Sequence, residues 1–205
     1  ATLGVAYTSE TTYSATVGAV FSIAAIDDIR ADSGETFHAS LQDGSWSSDS
    51  AYENVVYQGT VTTTITDDSD TTTATLSSAG EGDEDSGSVT YTVSVSNAPE
   101  ADQAFTFMLS NGQEVTVTVA ADALSGGTTV VWGAEEPGEG GVALAGYPDS
   151  DVYLEPDFAL SVNANSFAAV GNAGNYEDLQ VADASTAVTI EDTFTPATAT
   201  LSSAG

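Results

Sequence analysis

The 205 residues carry 31 acidic side chains against one basic side chain, Arg30, giving a formal charge of −30, and they include no cysteine. So acidic a chain cannot displace counterions from phosphate, which excludes nucleic-acid binding through a basic patch, and without cysteine there is no disulfide framework, thiolate zinc site or cysteine nucleophile. Hydrophobic residues make up 41%, enough for a core, while the longest apolar stretch, residues 17–26, is broken by Gly18 and Ser22 and falls far short of the ~20 residues of a membrane span, so direct membrane insertion is not expected.

The chain opens in mid-pattern with ATLGVAYT and reads as a fragment excised from something longer. Alternating apolar residues predict a short opening strand near 2–8 and further strands near 18–25, 36–41 and 60–66. His38, in TFHASL, reads as a strand histidine and not as a base or ligand. Acidic residues punctuate this region at Asp27, Asp28, Asp32 and Glu35, and again after its last strand at Asp67, Asp68 and Asp70.

Residues 73–80, TATLSSAG, recur letter for letter at 198–205, 125 residues further on, which marks an internal repeat. Related tails precede the two copies: YENV at 52–55 matches YEDL at 176–179, and TITDD at 64–68 matches TIEDT at 189–193. One complete period therefore spans 71–195. Residues 1–70 correspond to its second half only, an incomplete or naturally shortened repeat, and 196–205 begin a following one. Within the complete period, alternation predicts strands near 73–78, 88–96, 104–109, 114–120, 128–132, 157–163 and 186–191, with a tight hairpin at SNGQ. Seven strands is the number of an immunoglobulin-like sandwich. The expected fold is all-β, in tandem immunoglobulin-like β-sandwich modules.

Antiparallel neighbours reverse direction, so an odd strand count places the chain's exit opposite its start. The AGEGDEDSG loop, the SNGQ turn, the long segment 133–156 and the terminal Glu191-Asp192 should then gather at one pole. Candidate metal ligands there are Glu81, Asp83, Asp85, Asp149, Asp151, Glu191 and Asp192, with Glu84, Glu135, Glu136, Glu139 and Glu155 beside them. The same reasoning in the first repeat groups Asp27, Asp28, Asp32 and Glu35 with Asp67, Asp68 and Asp70. Crowded carboxylates repel one another unless neutralised, and Ca²⁺, which accepts about six to eight oxygen ligands, is the fitting ion. No run matches an EF-hand loop.

Paired acids such as Asp149/Asp151 or Glu135/Glu136 are the raw material of a glycosidase. Nothing in the sequence selects such a pair, so an enzyme is not expected. GEGG at 138–141 lacks the Lys-Ser/Thr of a phosphate loop. The alternative is a module that binds glycans or a surface, which predicts an exposed aromatic cluster around Trp132, Tyr147 and Tyr153.

The run SVTYTVSVSNAPEADQAFTFMLSNGQEVTVTVAADALSGGTTVVW, followed by DVYLEPDFALSV, NYEDLQV and AVTIEDT, resembles the extender repeats of large RTX adhesins of Gram-negative bacteria. In the first repeat, FSIAAIDDIRADSGETFHASL with TTTITDDSD is also similar to the Calx-β pattern of acidic loops. The resemblance implies type I secretion, an extracellular, cell-surface location, modules stiffened by Ca²⁺, and a role in biofilm formation or attachment. Neighbouring repeats of the same polypeptide are the implied partners. Glycine-rich RTX nonapeptides and a C-terminal secretion signal do not occur in these residues, so export rests on the resemblance alone. The thin first repeat and the strand-like segment 198–205 add an expectation of head-to-tail self-association.

Overall fold

The computed structural model describes residues 20, 22, 28–31, 34–40, 58–133, 141–146, 153–154, 156–182, 186–194 and 196–203. The chain divides into two compact units, Ala1–Asp70 and Thr71–Gly205. Among the described residues every regular element is a strand.

In the first unit β1 (Thr36–Ser40) and β2 (Thr60–Thr64) pair antiparallel, with Thr36 opposite Thr64 and His38 opposite Thr62. The exposed His38 ring meets the Thr62 hydroxyl at 2.8 Å, a cross-strand contact that accords with its reading as a strand residue. Beyond the ladder, Ile65 N donates to the Glu35 carbonyl at 2.8 Å. The expected strands near 36–41 and 60–66 are thus present. Those near 2–8 and 18–25 lie outside the described residues, apart from Val20 and Ser22.

The second unit contains β3 (Thr71–Gly82), β4 (Ser86–Val95), β5 (Gln103–Met108), β6 (Glu114–Val119), β7 (Ser125–Gly133), β8 (Val142–Ala143), β9 (Phe158–Ser161), β10 (Ala168–Ala169), β11 (Asp178–Val181) and β12 (Ala187–Ile190). All seven strands expected from the alternation are among them. One sheet has the order β11-β3-β4-β7-β8. Opposite it lie β10-β5-β6 and β12-β9, joined by a bridge between Leu109 and Val162.

Alternation in the sequence sets which side chains meet. EVTVTV in β6 buries Val115, Val117 and Val119 and exposes Glu114, Thr116 and Thr118, because successive strand residues point to opposite faces. The buried rows of β4 (Val89, Tyr91, Val93), β5 (Phe105, Phe107) and β7 (Val130, Trp132) join Leu160 and Ile190 in one cluster between the layers. The Tyr91 and Phe107 rings tilt against each other with centroids 4.9 Å apart, a favoured aromatic geometry. This is a two-layer all-β arrangement, consistent with a β-sandwich.

Strand direction then defines two poles. Thr71 opens β3 at the leading pole, where Asp178 of β11 lies opposite it. Gly82 ends β3 at the exit pole, opposite Gly87.

Candidate functional site

The exit pole is built from the β3–β4 turn and the chain leaving β12. These two strands run the same way, and their far ends meet in a parallel bridge between Asp83 and Glu191. Glu84 N donates to the Glu191 carbonyl at 3.0 Å, and Glu191 N to the Gly82 carbonyl at 3.4 Å. Asp83 Oδ1 accepts from the backbone N–H of Asp85 at 3.0 Å and of Ser86 at 3.1 Å, so this carboxylate shapes its own turn. The Trp132 indole N–H donates to the Asp83 carbonyl at 2.7 Å.

Glu84 and one oxygen of the half-buried Asp192 are withdrawn from water at this pole. Glu84 is only 1% exposed; its Oε1 accepts from Thr193 N at 3.3 Å and from the Thr193 hydroxyl at 2.7 Å. Asp192 N donates to Asp157 Oδ1 at 3.4 Å, while Asp192 Oδ1 is buried without a hydrogen-bond partner among the described residues. A buried carboxylate oxygen is costly without compensation, so an oxygen-seeking cation suits Asp192 chemically. Among the described residues, however, no three acidic side chains form a group that could hold a metal ion.

Glu81, Asp83, Asp85, Glu191 and Asp192 all lie at this pole, although the second unit has ten described strands with two parallel pairings and not the seven antiparallel ones from which the sequence argument placed them. The SNGQ turn is tied to the segment after β8 and not to these acids: Asn111 Nδ2 donates to the Ala145 carbonyl at 2.7 Å, and Gln113 Nε2 to the Ala143 carbonyl at 2.9 Å. Asp149 and Asp151 lie outside the described residues, as do Asp27 and Asp32. In the first unit, Asp28 Oδ1 accepts from Arg30 N at 2.8 Å. Glu35 pairs through its backbone with Ile65, two residues before Asp67, and Asp68 and Asp70 follow on the same segment. Asp157 escaped the sequence reading, because its place follows from the long-range pairing of β9 with β12 that sets Phe158 opposite Ile190.

Residues 70–133 match the LapA domain model. The matched stretch covers β3 to β7, from the leading pole to the Trp132 contact. It points to a surface adhesion or biofilm-related protein located at the cell surface. No match was found among curated proteins or among solved structures.

The leading pole has a different character. Gln103 is fully buried: its Oε1 accepts from Gly174 N at 3.0 Å, and its Nε2 donates to the Ala104 carbonyl at 2.9 Å. Asn172 Nδ2 donates to the Tyr176 carbonyl at 2.7 Å, and the Tyr176 hydroxyl to the Asn97 carbonyl at 3.2 Å. Neutral amides knit these loops, and no composition signal announced them.

The aromatic cluster expected for glycan stacking does not form as drawn. Trp132 is 2% exposed in the core, its ring closed in by Gly82 and Gly87. Tyr153 is 72% exposed, and Tyr147 lies outside the described residues.

Proposed function

We propose that the chain is a structural spacer of a large, repetitive surface adhesin. Its tandem immunoglobulin-like modules supply reach and stiffness in biofilm formation or surface attachment, after export by type I secretion. The observation that carries this reading is the placement of the two poles. The chain comes in at Thr71, at one end of the 12-residue strand β3, and leaves through Glu191 at the other end. At ~3.3 Å per residue such a strand spans roughly 35–40 Å, so each copy lengthens a stalk by about that much. Exact recurrence of TATLSSAG 125 residues on supports a stalk assembled by reiteration, and the LapA domain match supports its setting.

Ca²⁺ is the proposed ion at the module ends. Glu84, Asp192 and Asp157 are the described residues at the exit pole best suited to supply oxygens, with Asp149 and Asp151 as further donors; Asp67, Asp68 and Asp70 belong to the corresponding end of the first repeat. Bound Ca²⁺ would neutralise mutual repulsion of the carboxylates. No chemistry beyond binding is assigned, and neighbouring repeats are the proposed partners.

Small-angle scattering with Ca²⁺ and with excess chelator tests the stiffening role. A larger maximum dimension in Ca²⁺ is expected. An identical dimension in both conditions would overturn it.

A further inference from the structure

We propose that the contact between Glu84 and Thr193 is a force-bearing latch that keeps β12 from leaving the fold when the chain is pulled from its ends. The inference rests on the spacer reading, because a spacer between a cell and its target transmits tension through every module.

Tension on the second unit acts at Thr71, where β3 begins, and beyond Ile190, where β12 ends. The two strands run in the same direction, so the load draws them oppositely along their lengths. Their shared contacts are then strained together in shear and do not open one by one. Those contacts are the Glu84 N to Glu191 carbonyl bond at 3.0 Å, the Glu191 N to Gly82 carbonyl bond at 3.4 Å, and the two bonds from Thr193 to Glu84 Oε1.

Which strand would leave first follows from how each is held. β3 is in register with β4 from Ala74 to Gly82, whereas β12 is paired with β9 only from Ala187 to Ile190. The weaker member is therefore β12. When the shared contacts give way it is β12 that slips, and the Thr193 bonds to Glu84 carry the load together with the backbone bonds of Glu191. Bonds to a carboxylate are about twice as strong as neutral ones, and burial of Glu84 to 1% exposure keeps water from competing for them. A charged side chain held inside the pole solely for local stability would be an expensive choice; as a latch it holds the segment through which the load leaves β12.

The test uses the full chain held by handles at its two termini in single-molecule force spectroscopy, with two matched substitutions. Thr193→Val removes the 2.7 Å bond to Glu84. Thr128→Val removes a bond of the same length, from the Thr128 hydroxyl to the Thr116 carbonyl at 2.7 Å, in the β6–β7 corner away from the load path. Thr193→Val is expected to raise the rate of unfolding at fixed force roughly ten- to hundredfold, and Thr128→Val to leave it near wild type, although both lower stability in denaturant. Thr193→Ser, which keeps the hydroxyl, should restore the wild-type rate, and Glu84→Gln should raise it even if Thr193→Val does not fold. Equal increases from the two valine variants, or none from Thr193→Val and Glu84→Gln, would overturn the latch. The spacer reading fails separately, if removing the repeat from a surface-displayed chain leaves the cell's reach unchanged.

Discussion

The Trp132 indole donates to the Asp83 carbonyl at 2.7 Å while its ring packs against both Gly82 and Gly87, which face each other across β3 and β4. One core side chain thus supports the turn that carries Asp83, Glu84 and Asp85. A Cβ on Gly87 would sit 2.3 Å from Trp132 Cζ2 and 2.7 Å from Gly82 Cα.

Gly87→Ala should therefore cost about 2–3 kcal/mol through overpacking and displace the indole. A red shift in tryptophan emission, together with a lower denaturant midpoint, is the expected result. Unchanged emission and midpoint would show that the pole has room the geometry denies.

Two adjacent glycines in β7 should behave oppositely. A Cβ on Gly126 would lie 2.0 Å from the Thr118 carbonyl oxygen, a backbone atom, whereas one on Gly127 has nothing nearer than 3.5 Å. Gly126→Ala is expected to destabilise by about 3 kcal/mol or more. Gly127→Ala should be neutral or slightly stabilising, since alanine restricts the unfolded chain. Thermal melts of the pair decide it.

Strand positions and their buried faces were legible because runs such as SVTYTVSV and EVTVTV alternate strictly, whereas the parallel pairings of β11 with β3 and of β7 with β8 were not, since alternation carries no direction. β8 and β10, of two residues each, are too brief to alternate, whereas the four residues of β11, DLQV, do alternate and pack Leu179 and Val181 against the core. β3 runs on to Gly82, past the expected 73–78, because Gly80 and Gly82, poor strand formers that read as loop, are held by pairing with Val89 and Gly87. Within EGDED nothing in composition separates Glu84, which is buried, from Glu81 and Asp85, which are exposed. That distinction comes from the parallel approach of β12, a long-range contact invisible in a local pattern.

At the leading pole, Gln103→Leu keeps the volume but removes the acceptor for Gly174 N–H and the donor to the Ala104 carbonyl. Leaving buried polar groups without these bonds should cost about 2–4 kcal/mol. Urea denaturation is the measurement; a midpoint equal to wild type would mean the loops hold without the amide.

Burial pushes the Tyr91 phenol from 10.0 up to about 12. The folded state thus favours the protonated form, and the associated stability is fully present below pH 10.0 and is lost as pH rises toward about 12. The effect amounts to roughly 2–3 kcal/mol. Alkaline denaturation should be steeper in wild type than in Tyr91→Phe, and the tyrosinate absorbance lost in Tyr91→Phe should be the part that appears with unfolding. A Tyr91→Phe profile that parallels wild type would remove Tyr91 from the alkaline transition.

Asp192 offers a sign test for calcium. If Ca²⁺ occupies the exit pole at a concentration a hundredfold above its Kd, it adds about 2.7 kcal/mol, and chelation should lower the Tm by roughly 5–10 °C. Monovalent salt should recover only part of this, since it screens exposed charge but does not replace a bound ion. Asp192→Asn removes the charge next to the buried, unpartnered Oδ1. With calcium as a ligand the variant should lose most of its Tm response to the ion and be less stable than wild type in its presence. Without calcium the same variant should be more stable than wild type, because a neutral amide is cheaper to bury than a carboxylate. Calorimetric melts of both proteins in calcium and in chelator give four values whose order decides the matter. If Asp192→Asn is the more stable protein in both conditions, and wild type melts at one temperature throughout, the exit pole holds its acids without an ion.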